Sequence, residues 1–423
     1  MVRNLNILRR RAFFVSTVPN RYLFKALDLV AKDAIVMDKI DFQSSQTMKY
    51  VTLIGVLLFI SSCGGGGGSA SAPITAEPLI DPFPTTSTFP GAVWEVYAPQ
   101  DIGITQASVD AALDYAFVED RFTQGVVIIR YGVIVGERYA VGKSADTLAT
   151  SWSTGKSFAS TLIGIAVDQG DISSIDDPAE NYLPEWVNTD REAITVRALL
   201  EMRSGLGLAS ANVADTEMYV EGGIGGDQLA YALNRTPETT PRTNNWVYQN
   251  TDSMLLSGII ENATGQNVLN YADLNLFSKI GMEATWWTDE AGHALTYCCI
   301  DATSRDFARF GLLIARDGKW ADTQVVSKDW VDKATAVSVN LSSDASYGLQ
   351  WWINSDLGYF YAAGFHKNHI YIFPQHDLVI VRNSNYTRTG TDTVRTGSNA
   401  HRTDGPNQWS DADFVTLVTA GIN

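Results

Sequence analysis

Two β-rich regions lie at opposite ends of a long helical stretch, and this order restricts the possible folds more than any other feature. Residues 124–140 form two apolar, β-branched runs around a turn at Tyr131-Gly132, which predicts a hairpin. Near the other end, short aromatic or β-branched runs separated by Gly, Asn, Asp and Pro predict an antiparallel meander: Tyr347–Ile353, Tyr359–Ala363, His369–Phe373 and Leu378–Arg382. If the hairpin joins the meander, the chain is an α+β protein whose antiparallel sheet is flanked by helices.

Helical patterns fill the space between the two β regions, at Ser153–Gln169, Val196–Met202, Asp252–Thr264, Val268–Ile280, Ser304–Arg316 and Lys328–Ala336. The first of these helices has almost no polar face after Lys156, which indicates a helix buried at the centre of the domain. Gly170 follows it as a predicted C-terminal stop.

The start of this helix carries a candidate catalytic pair, Ser153 and Lys156. Residues three apart share a helix face, so the lysine nitrogen can reach the serine hydroxyl. A serine hydroxyl needs a base to take its proton, and a lysine that is removed from water has a lowered pKa and can act as that base. The alternative is a serine that caps the helix beside a solvated lysine.

Residues 152–170 resemble the nucleophile helix of the β-lactamase-related serine hydrolases, which include class C β-lactamases, EstB-type esterases and 6-aminohexanoate-dimer hydrolases. Residues 177–184 and 194–207 are similar to two further stretches of that family, in the same order. The resemblance extends from about residue 95 to the C-terminus. It implies a β-lactamase-like fold over residues 91–423, with an all-helical insertion at about 171–300. It also implies an acyl-serine mechanism with Ser153 as nucleophile and Lys156 as part of the base.

The family's Y-x-N motif is matched by Tyr248-Gln249-Asn250. The resemblance implies that Tyr248 is catalytic and that Asn250 binds the lysine or the substrate. A phenol beside a lysine and a serine can exchange protons with both and later protonate the leaving group. The alternative is a core tyrosine near the start of the helix Asp252–Thr264.

The family's third motif, K-T-G or a relaxed glycine-rich version, is altered in this chain. The corresponding stretch is Ala363–His369. Gly364 and Pro374 fix its register, so Lys367 falls where a glycine is expected. His366, Lys367 and Asn368 are therefore the candidate substrate-binding residues, with a structural role for His366 left open. A lysine side chain at this position must point away from the cleft or crowd it. The missing K-T-G also argues against recognition of a β-lactam carboxylate.

An apolar run at residues 50–60 precedes Ser61-Ser62-Cys63 and five glycines, a pattern typical of a bacterial lipoprotein signal. We therefore expect residues 1–47 to be absent from the mature protein, residues 48–63 to be the signal and residues 64–90 to be a flexible tether. The resemblance implies that Cys63 is acylated and holds the protein on a membrane of the cell envelope, facing the periplasm. The alternative is an ordinary buried thiol.

Composition limits the remaining partners. Residues 63–423 carry 22 Lys and Arg against 43 Asp and Glu, so nucleic acid is not an expected partner. The sequence does not place two histidines on one helix face, as a zinc hydrolase would need. Neither a metal nor another cofactor is therefore expected. Adjacent cysteines close only a strained ring, so Cys298 and Cys299 are predicted to be buried thiols without a disulfide.

Three functions follow, in order of preference. The first is a hydrolase that cleaves a small amide or ester substrate through an acyl-serine intermediate. The second is a β-lactamase or a peptidoglycan D-amino-acid peptidase, and the third is a non-catalytic envelope lipoprotein of the same fold. The third is disfavoured because a binding protein has no need for an activated serine.

Overall fold

An antiparallel sheet of eight strands organises the part of the chain that the structure describes. This structure is a computed structural model, and it describes residues 88–206, 226–237, 246–342, 344–385 and 406–423. The predicted upstream segment, the signal with Cys63 and residues 64–87 of the predicted tether lie outside the described residues.

The described strands are β1 (Thr123–Arg130), β2 (Val133–Tyr139), β3 (Leu148–Thr150), β4 (Ala284–Trp286), β5 (Ile300–Thr303), β6 (Lys319–Trp320), β7 (Thr323–Gln324), β8 (Val339–Asn340), β9 (Ser346–Tyr347), β10 (Trp352–Asn354), β11 (Tyr359–Gly364), β12 (Asn368–Phe373) and β13 (Leu378–Ser384). The large sheet has the order β2-β1-β13-β12-β11-β10-β9-β8. Strand β1 pairs antiparallel with both β2 and β13, so the early hairpin does join the late meander in one sheet. The α+β prediction is confirmed.

The described α-helices are α1 (Gln106–Ala116), α2 (Gly155–Gln169), α3 (Val196–Leu200), α4 (Gln228–Leu233), α5 (Asn250–Thr264), α6 (Val268–Ala272), α7 (Ser278–Ile280), α8 (Ser304–Ala315), α9 (Lys328–Ala334) and α10 (Asp411–Thr419). A π-helical turn, Asp273–Phe277, joins α6 to α7. The predicted helices agree with these bounds to within two residues at each end.

The sheet separates two hydrophobic cores because successive side chains of a strand point to opposite faces. On β1, Val127 and Ile129 belong to the larger core, which also contains the buried apolar residues of α2, α5 and α8. Val126 and Ile128 face the smaller core, which α1 and α10 cover. Helix α2 is buried along most of its length, as predicted, and Gly170 ends it in the left-handed conformation (φ 82°).

The sequence analysis was wrong about two local features. The predicted strand Tyr347–Ile353 is interrupted, because Gln350 has a φ of 65° and donates its backbone N–H to the Leu200 carbonyl at 3.1 Å. Cys298 and Cys299 are buried as expected, but they form a disulfide. The turn at Cys299, which has a φ of 72°, brings the two sulfur atoms within bonding distance.

None of the described helices is both long enough and apolar enough to cross a bilayer.

Candidate active site

Ser153 lies in a tight 3-10 turn, Trp152–Thr154, immediately before α2 begins at Gly155. It is half-buried, and the preceding Trp152 has the left-handed backbone conformation (φ 50°), which is uncommon for a residue other than glycine. The alternative of a serine N-cap is wrong, because the N-cap position of α2 is Thr154. Ser153 is therefore presented on a turn ahead of a buried helix.

Lys156 is almost completely buried, with 2% of its surface exposed, so the alternative of a solvated lysine is also wrong. Its Nζ lies 3.2 Å from Ser153 Oγ, 2.6 Å from Asn250 Oδ1 and 2.8 Å from the Tyr297 carbonyl oxygen. Nζ also lies 4.8 Å from the centre of the Tyr248 ring. The structure therefore brings Ser153, Lys156, Tyr248 and Asn250 together around one buried nitrogen.

Tyr248 and Asn250 reach this nitrogen from the start of α5. Asn250 is the first residue of α5, and Tyr248 precedes the helix by two residues. The Tyr248 ring also packs in an aromatic group, with its centre 5.8 Å from that of Trp352 and 6.1 Å from that of Trp246. The ring is half-buried in this group, so the packing expected of a core tyrosine coexists with its position beside Lys156.

Buried polar side chains hold α5 and α2 in this arrangement. Asp252 accepts hydrogen bonds from Ser204 Oγ at 2.5 Å and from Gln249 Nε2 at 2.6 Å. Gln350 connects the two helices, since its Oε1 accepts from Ser253 Oγ and its backbone carbonyl accepts from Ser157 Oγ, both at 2.7 Å. These residues fix the helices that carry Lys156 and Asn250.

The end of β11 packs directly against the turn that carries Ser153. A Cβ atom added to Gly364 would lie 2.2 Å from the Ser151 carbonyl oxygen and 3.0 Å from Thr154 Oγ1. Thr154 Oγ1 in turn donates to the Asn368 carbonyl at 2.6 Å. The third motif therefore lies beside Ser153, as the register set by Gly364 predicts.

Within the third motif, the side chains of Lys367 and Asn368 make contacts inside the protein. Lys367 has a φ of 64°, a conformation that favours the glycine expected there, and its Nζ lies 2.9 Å from Asp411 Oδ2 on α10. Asn368 is 2% exposed; its Nδ2 donates to the Phe365 carbonyl and its Oδ1 accepts from the Ser384 N–H. The His366 ring stacks on Phe365 with 4.1 Å between ring centres.

Asp411 is the centre of a buried polar cluster behind this motif. Besides Lys367, it accepts hydrogen bonds from the Tyr371 hydroxyl at 2.6 Å and from Trp409 Nε1 at 2.7 Å. Burial raises the pKa of the Asp411 carboxyl, but Lys367 and His369 lower it more, so the net pKa lies well below the usual range. Burial lowers the pKa of His369, which keeps its ring neutral near pH 7.

No group of three His, Cys, Asp or Glu side chains in the described ranges is arranged to hold a metal ion. The assembled groups are instead a hydroxyl, a buried amine and a phenol, which is a set suited to nucleophilic and acid–base chemistry.

The model of the family described as Beta-lactamase matches residues 116–403, which is more than half of the chain. The chain belongs to the beta-lactamase family. It is accordingly a serine hydrolase. The matched range includes the Ser153–Lys156 motif, the Tyr248–Asn250 motif and the third-motif stretch Ala363–His369.

Known proteins agree with this membership. A 6-aminohexanoate-dimer hydrolase from Paenarthrobacter ureafaciens is 23% identical over 291 residues, which span 64% of this chain and 74% of that protein. Two solved structures share the beta-lactamase-family fold. A Bacillus anthracis protein described as a candidate 6-aminohexanoate-dimer hydrolase has a TM-score of 0.60 and 22% identity, and the match covers 79% of this chain and 87% of that one. An octameric penicillin-binding protein homologue from Pyrococcus abyssi has a TM-score of 0.53 and 19% identity, with 68% and 75% covered.

Sequence reasoning did not identify Tyr297, Asp252 or Gln350 as parts of this beta-lactamase-family site. Tyr297 contacts Lys156 through a backbone carbonyl, which any residue type supplies, so no sequence signal could have identified it. Asp252 lies only two residues after Asn250, and a charged residue inside an apolar helix pattern is a signal that could have been used.

Proposed function

We propose that this protein cleaves an amide or ester bond through an acyl-serine intermediate, with Ser153 as nucleophile, Lys156 as base and Tyr248 as the proton relay. The observation that carries the proposal is the position of Lys156 Nζ, buried and 3.2 Å from Ser153 Oγ. Asn250 and the Tyr297 carbonyl hold the same nitrogen, which fixes its direction towards the hydroxyl.

The reaction follows from this geometry. In the active form Lys156 is a neutral amine, and it takes the Ser153 proton as Oγ attacks the substrate carbonyl. The positive end of the α2 helix dipole favours the negative charge that develops on the carbonyl oxygen. The tetrahedral intermediate collapses to an acyl-serine ester, and the proton passes through the Tyr248 hydroxyl to the leaving amine or alcohol. Water then cleaves the ester by the same steps in reverse order.

We propose a small linear amide or ester as the substrate class, in agreement with the named activity of the Paenarthrobacter relative. A β-lactam is the second candidate, since penicillin-binding protein homologues share the fold. Two features disfavour it: the K-T-G motif is absent, and the one lysine in the third motif is paired with Asp411.

The test is a hydrolysis panel of nitrophenyl esters, linear amides that include the 6-aminohexanoate dimer, and nitrocefin. Ser153→Ala and Lys156→Ala should each lower kcat by at least about 10³-fold on every substrate that the protein cleaves. The exposed residues Ser173 and Lys279 supply the matched controls, Ser173→Ala and Lys279→Ala, which should have wild-type rates. Full activity of Ser153→Ala would contradict the proposal, and preferred cleavage of nitrocefin would replace its substrate class.

We propose further that Cys63 is acylated and holds the protein on a bacterial envelope membrane, facing the periplasm. The apolar run, the small residues before Cys63 and the glycines after it support this location. Metabolic labelling with a palmitate analogue should mark the protein and should fail after Cys63→Ser. Label that persists in that variant would contradict the proposal.

A further inference from the structure

The segment Tyr297–Ile300 runs antiparallel to the nucleophile turn and contacts it at successive positions. At one end, the Tyr297 carbonyl accepts from Lys156 Nζ at 2.8 Å. At the other end, Ile300 and Ser151 are linked by two 2.8 Å hydrogen bonds, one from the Ser151 N–H to the Ile300 carbonyl and one from the Ile300 N–H to Ser151 Oγ. The segment thus holds both the base and the residue that begins the turn.

The two cysteines lie between these ends and contact the turn as well. The Cys299 N–H donates to the Trp152 carbonyl at 3.2 Å, next to the nucleophile. The Cys298 backbone packs so closely on α2 that a Cβ atom at Gly155 would lie 2.9 Å from its carbonyl carbon and oxygen. A change in the backbone at Cys298 or Cys299 would therefore act on Trp152 and Gly155, which are the chain neighbours of Ser153 and Lys156.

The disulfide restricts this backbone because its ring includes the peptide bond between Cys298 and Cys299. Cys299 has a φ of 72°, a left-handed conformation that is strained in a residue with a Cβ atom. Without the ring, relaxation of Cys299 to a negative φ would relieve this strain. Such a relaxation would swing its N–H away from Trp152 and shift the neighbouring Tyr297 carbonyl.

We propose that the Cys298–Cys299 disulfide is a positioning element of the hydrolytic site, so that full activity requires the oxidised pair. The inference rests on the proposed roles of Ser153 and Lys156. Misplacement of a catalytic group by about 1 Å can cost about 10²-fold in rate, so we expect a loss of about 10- to 100-fold in kcat when the ring is opened. KM should stay nearly constant, because the disulfide acts through Lys156 and the turn.

A dithiol opens the ring chemically. One dithiothreitol molecule loses two electrons and two protons and becomes a cyclic disulfide, while the S–S bond breaks and Cys298 and Cys299 each become a thiol. Reduction is expected to be slow because both cysteines are buried. Mass spectrometry of the peptide that contains both cysteines measures its extent, and an oxidised dithiol reverses it.

The experiment compares Cys298→Ala, Cys299→Ala and the double alanine variant with Cys63→Ala, which keeps the disulfide. Either single variant breaks the bond, so all three should lose the same 10- to 100-fold in kcat on an ester substrate. Cys298→Ala/Cys299→Gly provides a rescue, because glycine adopts a positive φ without strain, and it should recover part of the loss. If the disulfide only stabilised the fold, these variants would have a lower Tm but an unchanged kcat below Tm. That result would overturn the inference.

The results separate this inference from the proposed function. Retained activity in Ser153→Ala would overturn the proposed function. Ser153-dependent activity that is equal in the wild type and the double alanine variant would overturn the disulfide inference alone. If the alanine variants do not fold, the comparison is made on folded wild-type protein before reduction, after reduction and after reoxidation. Equal kcat in the three states would then overturn the inference.

Discussion

Removal of the Asn250 amide is predicted to disable the base without removing it. Asn250→Leu keeps most of the side-chain volume but deletes the oxygen that lies 2.6 Å from Lys156 Nζ. Loss of the acceptor of a buried N–H donor costs about 1–3 kcal/mol, and Lys156 is too deeply buried for bulk water to replace the lost partner. At about 1.36 kcal/mol per tenfold change, kcat/KM should fall by about 5- to 150-fold.

The assay is steady-state hydrolysis of the best nitrophenyl ester at a temperature where circular dichroism shows a folded variant. Asn262→Leu is the matched control, because Asn262 lies on the same helix and its Nδ2 donates to the Tyr182 carbonyl at 2.8 Å, on an exposed surface. The control should have wild-type kcat/KM. A folded Asn250→Leu variant with less than about a threefold loss would refute the claim that this contact positions Lys156.

Three further predictions follow from the described contacts. Tyr248→Phe should lower kcat by about 10²- to 10⁴-fold with little change in Tm, the range for a general acid–base group; equal losses of activity and stability would favour a packing role. Gly364→Ala should reduce activity because its Cβ meets the Ser151 carbonyl, whereas Gly91→Ala, with nothing within 4 Å, should not; equal rates in the two variants would contradict the close packing. Asp411 has a lowered pKa, so its contribution to stability is present above the unfolded pKa of about 3.9 and is lost progressively as pH falls from that value through the lower folded pKa. Denaturant titrations from pH 7 to pH 3 should therefore give a flatter acid limb for Asp411→Asn, and an unchanged limb would contradict the assignment.

Local sequence patterns were sufficient to predict the elements that carry the site. Helix α2 was predictable because its apolar residues cover nearly every side, which is compatible only with a buried helix. The hairpin of β1 and β2 was predictable from β-branched runs around Tyr131-Gly132. The predicted strand Tyr347–Ile353 covers parts of β9 and β10, but the turn at Gln350 that separates them was not predicted. That turn depends on contacts with α3 and α5, which lie far away in sequence.

Contacts made through the backbone, or between distant segments, were beyond the reach of sequence patterns. The direction of the Lys367 side chain depends on Asp411, which lies 44 positions later and follows no motif. The disulfide between Cys298 and Cys299 lies in a turn that three tryptophans contact. The Cys299 N–H donates to the Trp152 carbonyl, the Cys299 carbonyl accepts from the Trp287 N–H, and the Cys298 carbonyl accepts from Trp286 Nε1. Sequence reasoning therefore predicted the candidate reactive groups, while the contacts that support them required the structure.

The central claim is that Ser153 is the nucleophile and that Lys156 activates it. The most direct measurement is the reaction of the protein with a fluorophosphonate, followed by peptide mapping of the phosphonylated residue. The adduct should form only on Ser153, and Lys156→Ala should form it much more slowly, because the hydroxyl has lost its base. An adduct on another serine, or equal labelling rates in the wild type and Lys156→Ala, would contradict the account.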